Sequence, residues 1–386
     1  MNTTLINTVK TSFLNNFKVE PILIFSPGRI NIIGEHTDYN DGFVFPAAVN
    51  KGIVAAIQKS DTNSSSAFAV DKTESITFSL DNLKPLNKGC WQNYILGVVS
   101  EIQNRNKTIG NFNIAFGGDI PGGAGMSSSA ALENSVVFGL NELFNLGLTK
   151  HEMILISQKA EHNYVGVKCG IMDQYASMFG VKDTALLLDC RTVNATSYKI
   201  DFKDYELLLI NTNVKHSLSD SAYNDRRSVC ESVSELLNVK ALRDATEFDL
   251  ETIKDKVTPE NYQKVLYVIQ ENNRAREASV AMKTDDLKAL GKLMYASHEG
   301  LQKQYKVSCD ELDFLVAETK SNPNILGSRM MGGGFGGCTI NLIAKSEVPA
   351  FKDYITEAYK TKFNTECSIY EVKLSDGTHI INELNH

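Results

Sequence analysis

The sequence has no excess of basic residues. Among its 386 residues, 39 lysines and arginines stand against 46 aspartates and glutamates, which gives a net charge of −7. A general nucleic-acid binder normally presents a basic face, so this class is disfavoured. No apolar run approaches the roughly 18 residues that a membrane span needs. We therefore expect neither nucleic acid nor membrane as a partner, although backbone amides can still hold a nucleotide phosphate locally.

Closely spaced cysteines are also lacking. The seven cysteines lie at positions 90, 169, 190, 230, 309, 338 and 367, and no pair has the spacing of a zinc ligand set. Scattered thiols in an odd number are typical of a reduced, cytoplasmic protein. Residues 1–20 contain no uninterrupted apolar segment of the kind found in secretory signal peptides, which favours the same location.

The distribution of patterns along the chain indicates its organisation. With 42% hydrophobic and 22% charged residues, the composition is that of an ordinary globular protein. Strand-like segments are frequent before residue 205, whereas apolar residues take helical spacing between 219 and 320. Strand patterns return at 338–344 and 368–374. We expect a mixed α+β chain of two domains, covering residues 1–204 and 205–386.

A first motif, IFSPGRINIIGEHTDYNDG at 24–42, gathers charged side chains on a turn. Arg29, Glu35, His36 and Asp38 are interleaved with glycine and proline, which punctuate strands with turns. Carboxylates accept hydrogen bonds from neighbouring hydroxyl groups, so such a turn suits a polyol ligand. Taken alone, the motif is equally compatible with a solvated, charged loop.

A second motif, GGDIPGGAGMSSSAALE at 117–133, places five glycines between a predicted strand and a helix predicted to begin near Ser128. Successive N–H groups of such a loop can bind phosphate, and the helix N-terminus adds partial positive charge. The Gly-Lys-[Ser/Thr] sequence of a Walker A loop is absent. We interpret the motif as a phosphate-binding loop; the alternative is a flexible loop before a capped helix.

A third glycine-rich motif, MMGGGFGGCTINLIA, covers residues 330–344. Its glycines formally satisfy G-x-G-x-x-G, but a dinucleotide site needs a strand before them and a helix after them. Here a β-branched strand follows instead. The motif therefore predicts a wall or tight lid beside a ligand, where a side chain would clash; a plain tight turn remains the alternative.

Two carboxylates between residues 160 and 177 are ambiguous. Glu161 ends a predicted helix, where a glutamate is ordinarily solvated. Asp173 lies among apolar neighbours and is either a helix cap or a buried functional carboxylate. The local residues by themselves favour the cap.

Together, these segments resemble the galactokinase branch of the GHMP small-molecule kinase superfamily. PGRINIIGEHTDYN at 27–40 is similar to the galactokinase signature, while the second and third motifs are similar to the phosphate loop and the glycine-rich third motif of the superfamily. The resemblance extends over about residues 20–345. It implies an N-terminal domain like ribosomal protein S5 domain 2 and a ferredoxin-like C-terminal domain, with the active site in the cleft between them.

The resemblance also implies an activity, namely ATP-dependent phosphorylation of the anomeric hydroxyl of galactose. It makes Asp173 the catalytic base and Arg29 the neighbour that stabilises the transition state. The implied sugar-binding residues are Glu35, His36, Thr37, Asp38, Gly170 and Tyr223. The implied ATP phosphate loop consists of Gly123, Ala124, Gly125, Met126, Ser127, Ser128 and Ser129. Ser129 and Glu161 match the Mg²⁺ ligands of the family.

The resemblance further implies galactose and ATP as partners and Trp91 near the adenine. The sequence does not determine the oligomeric state, for which a monomer is the expectation. Three alternatives remain open: a kinase for a related sugar such as N-acetylgalactosamine or arabinose, a catalytically silent galactose sensor, and a non-enzymatic nucleotide-binding module. A deletion at Ser129–Ala130 would indicate a sensor, and this chain has both residues. A binding module would leave Arg29 and Asp173 unexplained.

Overall fold

The structure is a computed structural model that describes residues 2–87, 89–215 and 219–382. The elements before residue 205 are α1 (Thr3–Phe17), β1 (Ile22–Asn31), β2 (Phe43–Val44), β3 (Pro46–Lys59), β4 (Ser65–Ala69), β5 (Glu74–Phe78), α2 (Gln92–Gln103), β6 (Phe112–Gly118), α3 (Ser128–Phe144), α4 (Lys150–Ala160), α5 (Met172–Phe179), β7 (Thr184–Asp189) and β8 (Asn194–Lys199). The later elements are β9 (Tyr205–Lys215), α6 (Ser219–Leu236), α7 (Glu247–Thr252), α8 (Pro259–Lys283), α9 (Leu287–Gly300), α10 (Asp310–Thr319), β10 (Ile325–Met331), β11 (Gly336–Ala344), α11 (Val348–Phe363), β12 (Ser368–Glu371) and β13 (His379–Ile380).

The first large sheet has six strands in the order β13-β1-β3-β6-β4-β5. Its strand pairs are antiparallel except β4 with β6. Successive side chains of a strand point to opposite faces, so the two faces of β1 join different cores. Leu23 and Phe25 pack with helix α1, whereas Ile24 packs in the core that includes Val136 and Leu140 of α3. The sheet is therefore covered on both faces, and α3 is held directly beneath β1 and β3.

The second large sheet has four antiparallel strands in the order β10-β11-β9-β12. The predicted helical region between residues 219 and 320 is confirmed and consists of α6 to α10. One face of the sheet packs on α11, and the other packs in a core with residues of α8 and α9. Within the described residues, none of the helices combines the length and apolarity needed to cross a membrane. The mixed α+β fold class predicted from the sequence is confirmed.

The two sheets are linked by more than one crossing of the chain. Strand β9, the first of the second sheet, begins at Tyr205. Near the C-terminus the chain returns to the first sheet, where Ile380 of β13 lies opposite Ile24 of β1. The division into domains at residue 204/205 stays a prediction, and the return of β13 places a short C-terminal segment with the first sheet.

Candidate active site

Two adjoining cavities lie beside the glycine-rich loop, and each is lined by residues from both halves of the chain. The large cavity has a volume of about 770 Å³, and the small cavity has a volume of about 130 Å³. Arg29, Glu161 and Asp173 are the charged residues that line both. The geometry therefore places two carboxylates and one guanidinium where the cavities meet.

The predicted phosphate loop forms one wall of the large cavity. All seven implied residues line it: Gly123, Ala124, Gly125, Met126, Ser127, Ser128 and Ser129. Gly123, Gly125 and Ser127 have positive φ values of 72°, 66° and 58°, and α3 begins immediately afterwards. A loop with this backbone, leading into a helix N-terminus, is a suitable site for the phosphates of a nucleotide.

Strand β1 delivers Arg29 to the junction of the cavities. The register of β1 against β3 shifts between Pro27 and Arg29, and a bulge of this kind re-aims a side chain. The Arg29 backbone N–H donates to the Met126 carbonyl at 3.1 Å, which ties the strand to the phosphate loop. The Arg29 side chain, 4% exposed as a residue, then reaches Asp173.

Asp173 is bonded on both oxygens of its carboxylate. Arg29 donates from Nε and Nη2 to Oδ1, each at 2.8 Å, and the Ser127 hydroxyl donates to Oδ2 at 2.6 Å. Asp173 lies in the first turn of α5, whose N-cap is Ile171 and has no side-chain cap. The interpretation of Asp173 as a helix cap is therefore wrong, because its side chain faces the cavities instead.

The predicted sugar-binding turn lines the small cavity. Glu35, His36, Asp38 and Tyr223 all contribute to its wall. Burial, followed by the positive charge of Arg226, lowers the pKa of His36 to about 3, so the imidazole is neutral at physiological pH. Its Nε2 has no hydrogen-bond partner among the described residues. The turn thus offers carboxylates and a neutral imidazole to a small polar ligand.

The pKa of Asp38 is shifted in the direction opposite to that of His36. Burial, and then the negative charges of Asp173 and Glu35, raise its pKa to about 7. Like charges near a carboxylate disfavour its ionised form, as does loss of water. Asp38 therefore changes between its protonated and ionised forms within the physiological pH range.

Thr37 and Gly170, two of the implied sugar-binding residues, shape the turn and are not part of the small-cavity lining. The Thr37 hydroxyl is buried and lies 2.9 Å from the Gly34 carbonyl oxygen and 2.7 Å from that of Phe43. Gly170 lies against Asp38, and a Cβ at that position would collide with the Asp38 carboxylate. Thr37 therefore acts on the cavity through the backbone of the turn, and Gly170 acts through Asp38.

The implied metal ligands lie on the two helices that border the large cavity. Glu161 occupies a π-helical turn after α4, and such turns are frequent at functional sites. Burial and then the charge of Asp173 raise the pKa of Glu161 to about 7, while a hydrogen bond from Ser129 opposes that rise. A buried carboxylate beside a hydroxyl suits a hard cation, which would keep the carboxylate ionised.

Two protein oxygens do not make a complete Mg²⁺ site. No group of three or more histidine, cysteine or acidic side chains in the described part of the chain is arranged to hold a metal. Mg²⁺ usually takes most of its octahedral ligands from phosphates and water. Ser129 and Glu161 therefore fit a Mg²⁺ ion that arrives with a nucleotide.

Trp91 does not line the large cavity. Its indole packs edge-on against Phe116, 5.2 Å between ring centroids, and its Nε1 donates to Glu74 at 2.8 Å. Tyr94, one turn along, lines the cavity instead. The predicted proximity of Trp91 to the adenine is therefore not supported by its position in the core.

Arg329 is a site residue that the sequence analysis missed. It is fully buried, and its Nη2 donates to Glu35 Oε1 at 2.8 Å across 294 positions. The same guanidinium donates to the backbone carbonyls of Asn31 and Ile32, each at 2.8 Å. Glu35 Oε1 also accepts from the Gly332 N–H at 2.8 Å. Oε1 of Glu35 is thus bonded to residues from the second half of the chain. In the sequence, the one unusual feature of Arg329 is its position within an apolar strand.

Three tyrosines pack near the His36 ring, and Tyr223 among them lines the small cavity. Tyr39 places its hydroxyl 2.8 Å from His36 Nδ1, and Tyr305 places its hydroxyl 2.7 Å from that of Tyr39. The Tyr223 ring centroid lies 5.4 Å from that of His36. These hydrogen bonds fix the His36 ring through Nδ1, while Nε2 has no hydrogen-bond partner among the described residues.

Comparisons with known proteins agree with this geometry. A family model described as the galactokinase galactose-binding signature matches residues 11–59. Models for the N-terminal and C-terminal domains of GHMP kinases match residues 93–181 and 278–361. A galactokinase from Clostridium acetobutylicum is 40% identical over 98% of this chain and 100% of its own. A galactokinase from Thermotoga petrophila is 40% identical over 92% of this chain and 99% of its own.

Solved structures show the same fold. A Lactococcus lactis galactokinase complexed with galactose has a TM-score of 0.93 and is 31% identical, with 97% of this chain and 99% of that chain covered. A Methanococcus jannaschii mevalonate kinase has a TM-score of 0.65 at 18% identity, over 92% of this chain and 99% of that chain. The second similarity concerns the fold alone.

Proposed function

The chain belongs to the galactokinase family and phosphorylates the anomeric hydroxyl of galactose with ATP, and we propose an assignment of its residues to this reaction. The observation that carries the assignment is the Arg29–Asp173 pair at the junction of the two cavities. The large cavity takes ATP against the phosphate loop, and the small cavity takes the sugar. The reacting atoms then meet beside the Asp173 carboxylate, which is bonded to both Arg29 and Ser127.

Asp173 is the general base in this proposal. It accepts the proton of the anomeric hydroxyl as that oxygen attacks the γ-phosphorus of ATP, and ADP leaves. Oδ1 of Asp173 already accepts two N–H groups of Arg29, whereas Oδ2 accepts the Ser127 hydroxyl and keeps a second acceptor site for the sugar hydroxyl. General-base assistance of this kind typically contributes about 10²- to 10⁴-fold to the rate.

Arg29 has two functions in the proposal. It orients the Asp173 carboxylate through two N–H donors on one oxygen, and its positive charge neutralises charge that develops on the transferred phosphoryl group. Phosphoryl transfer depends mainly on positioning and electrostatic stabilisation. The burial of Arg29 strengthens both effects, because little water is present to screen its charge.

We assign sugar recognition to Glu35, His36, Asp38 and Tyr223. Asp38 and the free oxygen of Glu35 accept hydrogen bonds from sugar hydroxyls, and the unpaired Nε2 of His36 contributes a further polar contact. A site with buried polar groups rejects a sugar that leaves them unpaired. The small volume of the cavity restricts the ligand to about the size of a monosaccharide.

Mg²⁺ is the proposed cofactor, with Ser129 and Glu161 as its protein ligands. When bound, it neutralises negative charge on the ATP phosphates. The chain's own contribution is the loop of backbone N–H groups, which would bind the phosphates. The raised pKa of Glu161 supports this assignment, because an incoming cation would relieve the cost of burying its negative charge.

The functional unit and compartment are also proposals. The functional unit that we propose is a monomer. All seven cysteines are free thiols, which fits the reducing conditions of the cytoplasm.

A panel of sugars in a coupled ADP-release assay tests the function. We expect a kcat/KM for galactose above that for N-acetylgalactosamine, because the cavity of about 130 Å³ leaves little room for an added acetyl group. We also expect it to exceed that for arabinose, which lacks the hydroxymethyl group of galactose and therefore makes fewer contacts. A preference for either of the other sugars would assign a different substrate. Binding of galactose and ATP without ADP release would instead indicate a sensor, which the intact loop and the Arg29–Asp173 pair disfavour.

A further inference from the structure

The sugar-binding turn between Gly34 and Phe43 has an unfavourable backbone. Gly34, His36 and Asp41 have φ values of 100°, 64° and 58°. Glycine adopts such a value at little cost, whereas His36 and Asp41 carry a Cβ, and their conformation costs free energy that the surroundings must supply. Contacts from outside the turn therefore help to hold its backbone, together with the hydrogen bonds that Thr37 makes within it.

Helix α8 supplies those contacts from the second half of the chain. Glu271 Oε1 accepts from the Gly34 N–H at 2.9 Å, and Asn272 Oδ1 accepts from the Phe43 N–H at 2.9 Å. The Tyr267 hydroxyl donates to the Glu35 carbonyl oxygen at 3.0 Å. Both ends of the turn and its first charged residue are thus bonded to one helix, more than 220 positions away along the chain.

The helix approaches the turn closely. A Cβ at Gly42 would lie 2.9 Å from Asn272 Oδ1 and 2.8 Å from the Thr37 carbonyl oxygen, so only glycine fits there without a shift. Asn272 is 8% exposed, so water cannot readily replace it as an acceptor. The Phe43 N–H would lose its partner if the amide were removed.

Glu271 is itself held in place. It is fully buried, and it accepts from the Ser297 hydroxyl at 2.6 Å on Oε1 and from Arg274 Nε at 2.6 Å on Oε2. A buried carboxylate that is paired and hydrogen-bonded on both oxygens is a rigid acceptor. The anchor for Gly34 is therefore fixed by α8 and by Ser297 of the next helix, α9.

We propose that Asn272 and Glu271 are positioning residues for galactose, which hold the turn backbone in the one conformation that presents Glu35, His36 and Asp38 to the sugar. Neither residue lines the small cavity, so each acts through the turn. The proposal rests on the assignment of that cavity to galactose. It predicts that changes in α8 alter sugar affinity while the phosphate loop, held by β1 and α3, retains its affinity for ATP.

Asn272 provides the sharper test because a near-isosteric replacement exists. Asn272→Ala removes the acceptor for the Phe43 N–H, whereas Asn272→Asp retains an acceptor of the same shape and gains a favourable i,i+4 neighbour in Arg276. Val265→Ala is the matched control, because Val265 is buried in α8 and its truncation costs packing without removing a bond to the turn. Galactose binding is measured by calorimetry without nucleotide, and KM is measured for both substrates.

We expect Asn272→Ala to weaken galactose binding and raise its KM about tenfold, with KM for ATP changed less than twofold. Asn272→Asp should recover most of the affinity, and Val265→Ala should bind galactose like the wild type despite a lower melting temperature. Equal galactose affinity in Asn272→Ala and the wild type would overturn the proposal. A parallel loss in Val265→Ala would also overturn it, because general destabilisation would then explain the effect. Failure of the wild-type protein to bind galactose would instead refute the assignment of the cavity.

Discussion

Ser127 donates a hydrogen bond of 2.6 Å from its hydroxyl to Oδ2 of Asp173. The phosphate loop is therefore hydrogen-bonded to the carboxylate at the junction of the cavities, and Arg29 is bonded to the other oxygen of that carboxylate. A serine that the family resemblance assigned only to the phosphate loop thus also orients the proposed base. Movement of the loop on nucleotide binding would be transmitted directly to Asp173.

This contact predicts an effect of Ser127→Ala on the chemical step. Loss of the hydroxyl removes one of the bonds that orient the Asp173 carboxylate, and we expect kcat to fall about tenfold, the order expected for one hydrogen bond to a charged group. Ser128→Ala is the control, because Ser128 lines the large cavity, whereas the serine that donates to Asp173 is Ser127. Steady-state kinetics should show the change mainly in kcat for Ser127→Ala and mainly in KM for ATP for Ser128→Ala; the same pattern in both variants would contradict the assignment.

Asp173→Asn tests the base directly. The substitution preserves size but removes the proton acceptor, so turnover should fall by about 10²-fold or more, while ATP binding measured by calorimetry should be nearly unchanged. Residual kcat above about a tenth of the wild-type value would mean that another group accepts the proton.

The raised pKa of Asp38 predicts a pH dependence of sugar use. Because its pKa is about 7 in the folded protein, Asp38 is largely protonated below pH 7 and offers fewer acceptors to sugar hydroxyls. At saturating Mg-ATP, kcat/KM for galactose should therefore rise as the pH increases through about 7. Asp38→Asn should lower kcat/KM and remove this step; a wild-type profile that is flat between pH 6 and 8 would refute it.

The raised pKa of Asp38 also affects stability. The free energy of unfolding should fall as the pH rises, whereas kcat/KM for galactose should increase. Between about pH 4 and 7 the folded state holds a proton on Asp38 that the unfolded chain has released, so this group lowers the free energy of unfolding as the pH rises. Asp38→Asn should therefore gain stability relative to the wild type as the pH is raised from 5 to 8. Urea denaturation at the two pH values, with the ligand-free protein, measures the difference; an unchanged difference between the two proteins would contradict the shift.

Glu161→Ala tests the proposed metal ligand. With one of its two protein ligands removed, Mg²⁺ should be needed at a concentration about tenfold higher for half-maximal rate. Galactose affinity measured without metal should change less than this, since Glu161 only borders the small cavity. Titration of Mg²⁺ at saturating ATP and galactose gives the midpoint. A midpoint equal to that of the wild type would leave Glu161 as a buried carboxylate with another role.

The sequence by itself determined the features that depend on local chemistry. The glycine loop before α3, the turn between residues 34 and 43, and the helices between 219 and 320 follow from turn residues and hydrophobic spacing, and these patterns act over a few residues. The order of the motifs was enough to identify the family resemblance and, through it, Arg29 and Asp173.

Tertiary structure alone decided how these segments act together. Local residues favoured a helix cap for Asp173, and only the approach of β1 and the phosphate loop gave its carboxylate three donors. Arg329 and Asn272 carried no functional signal, because their partners Glu35 and Phe43 lie 294 and 229 positions away. Hydrogen bonds over such separations depend on how the two sheets and α8 pack. No local pattern encodes that packing, so the support of the sugar-binding turn was visible only in the folded chain.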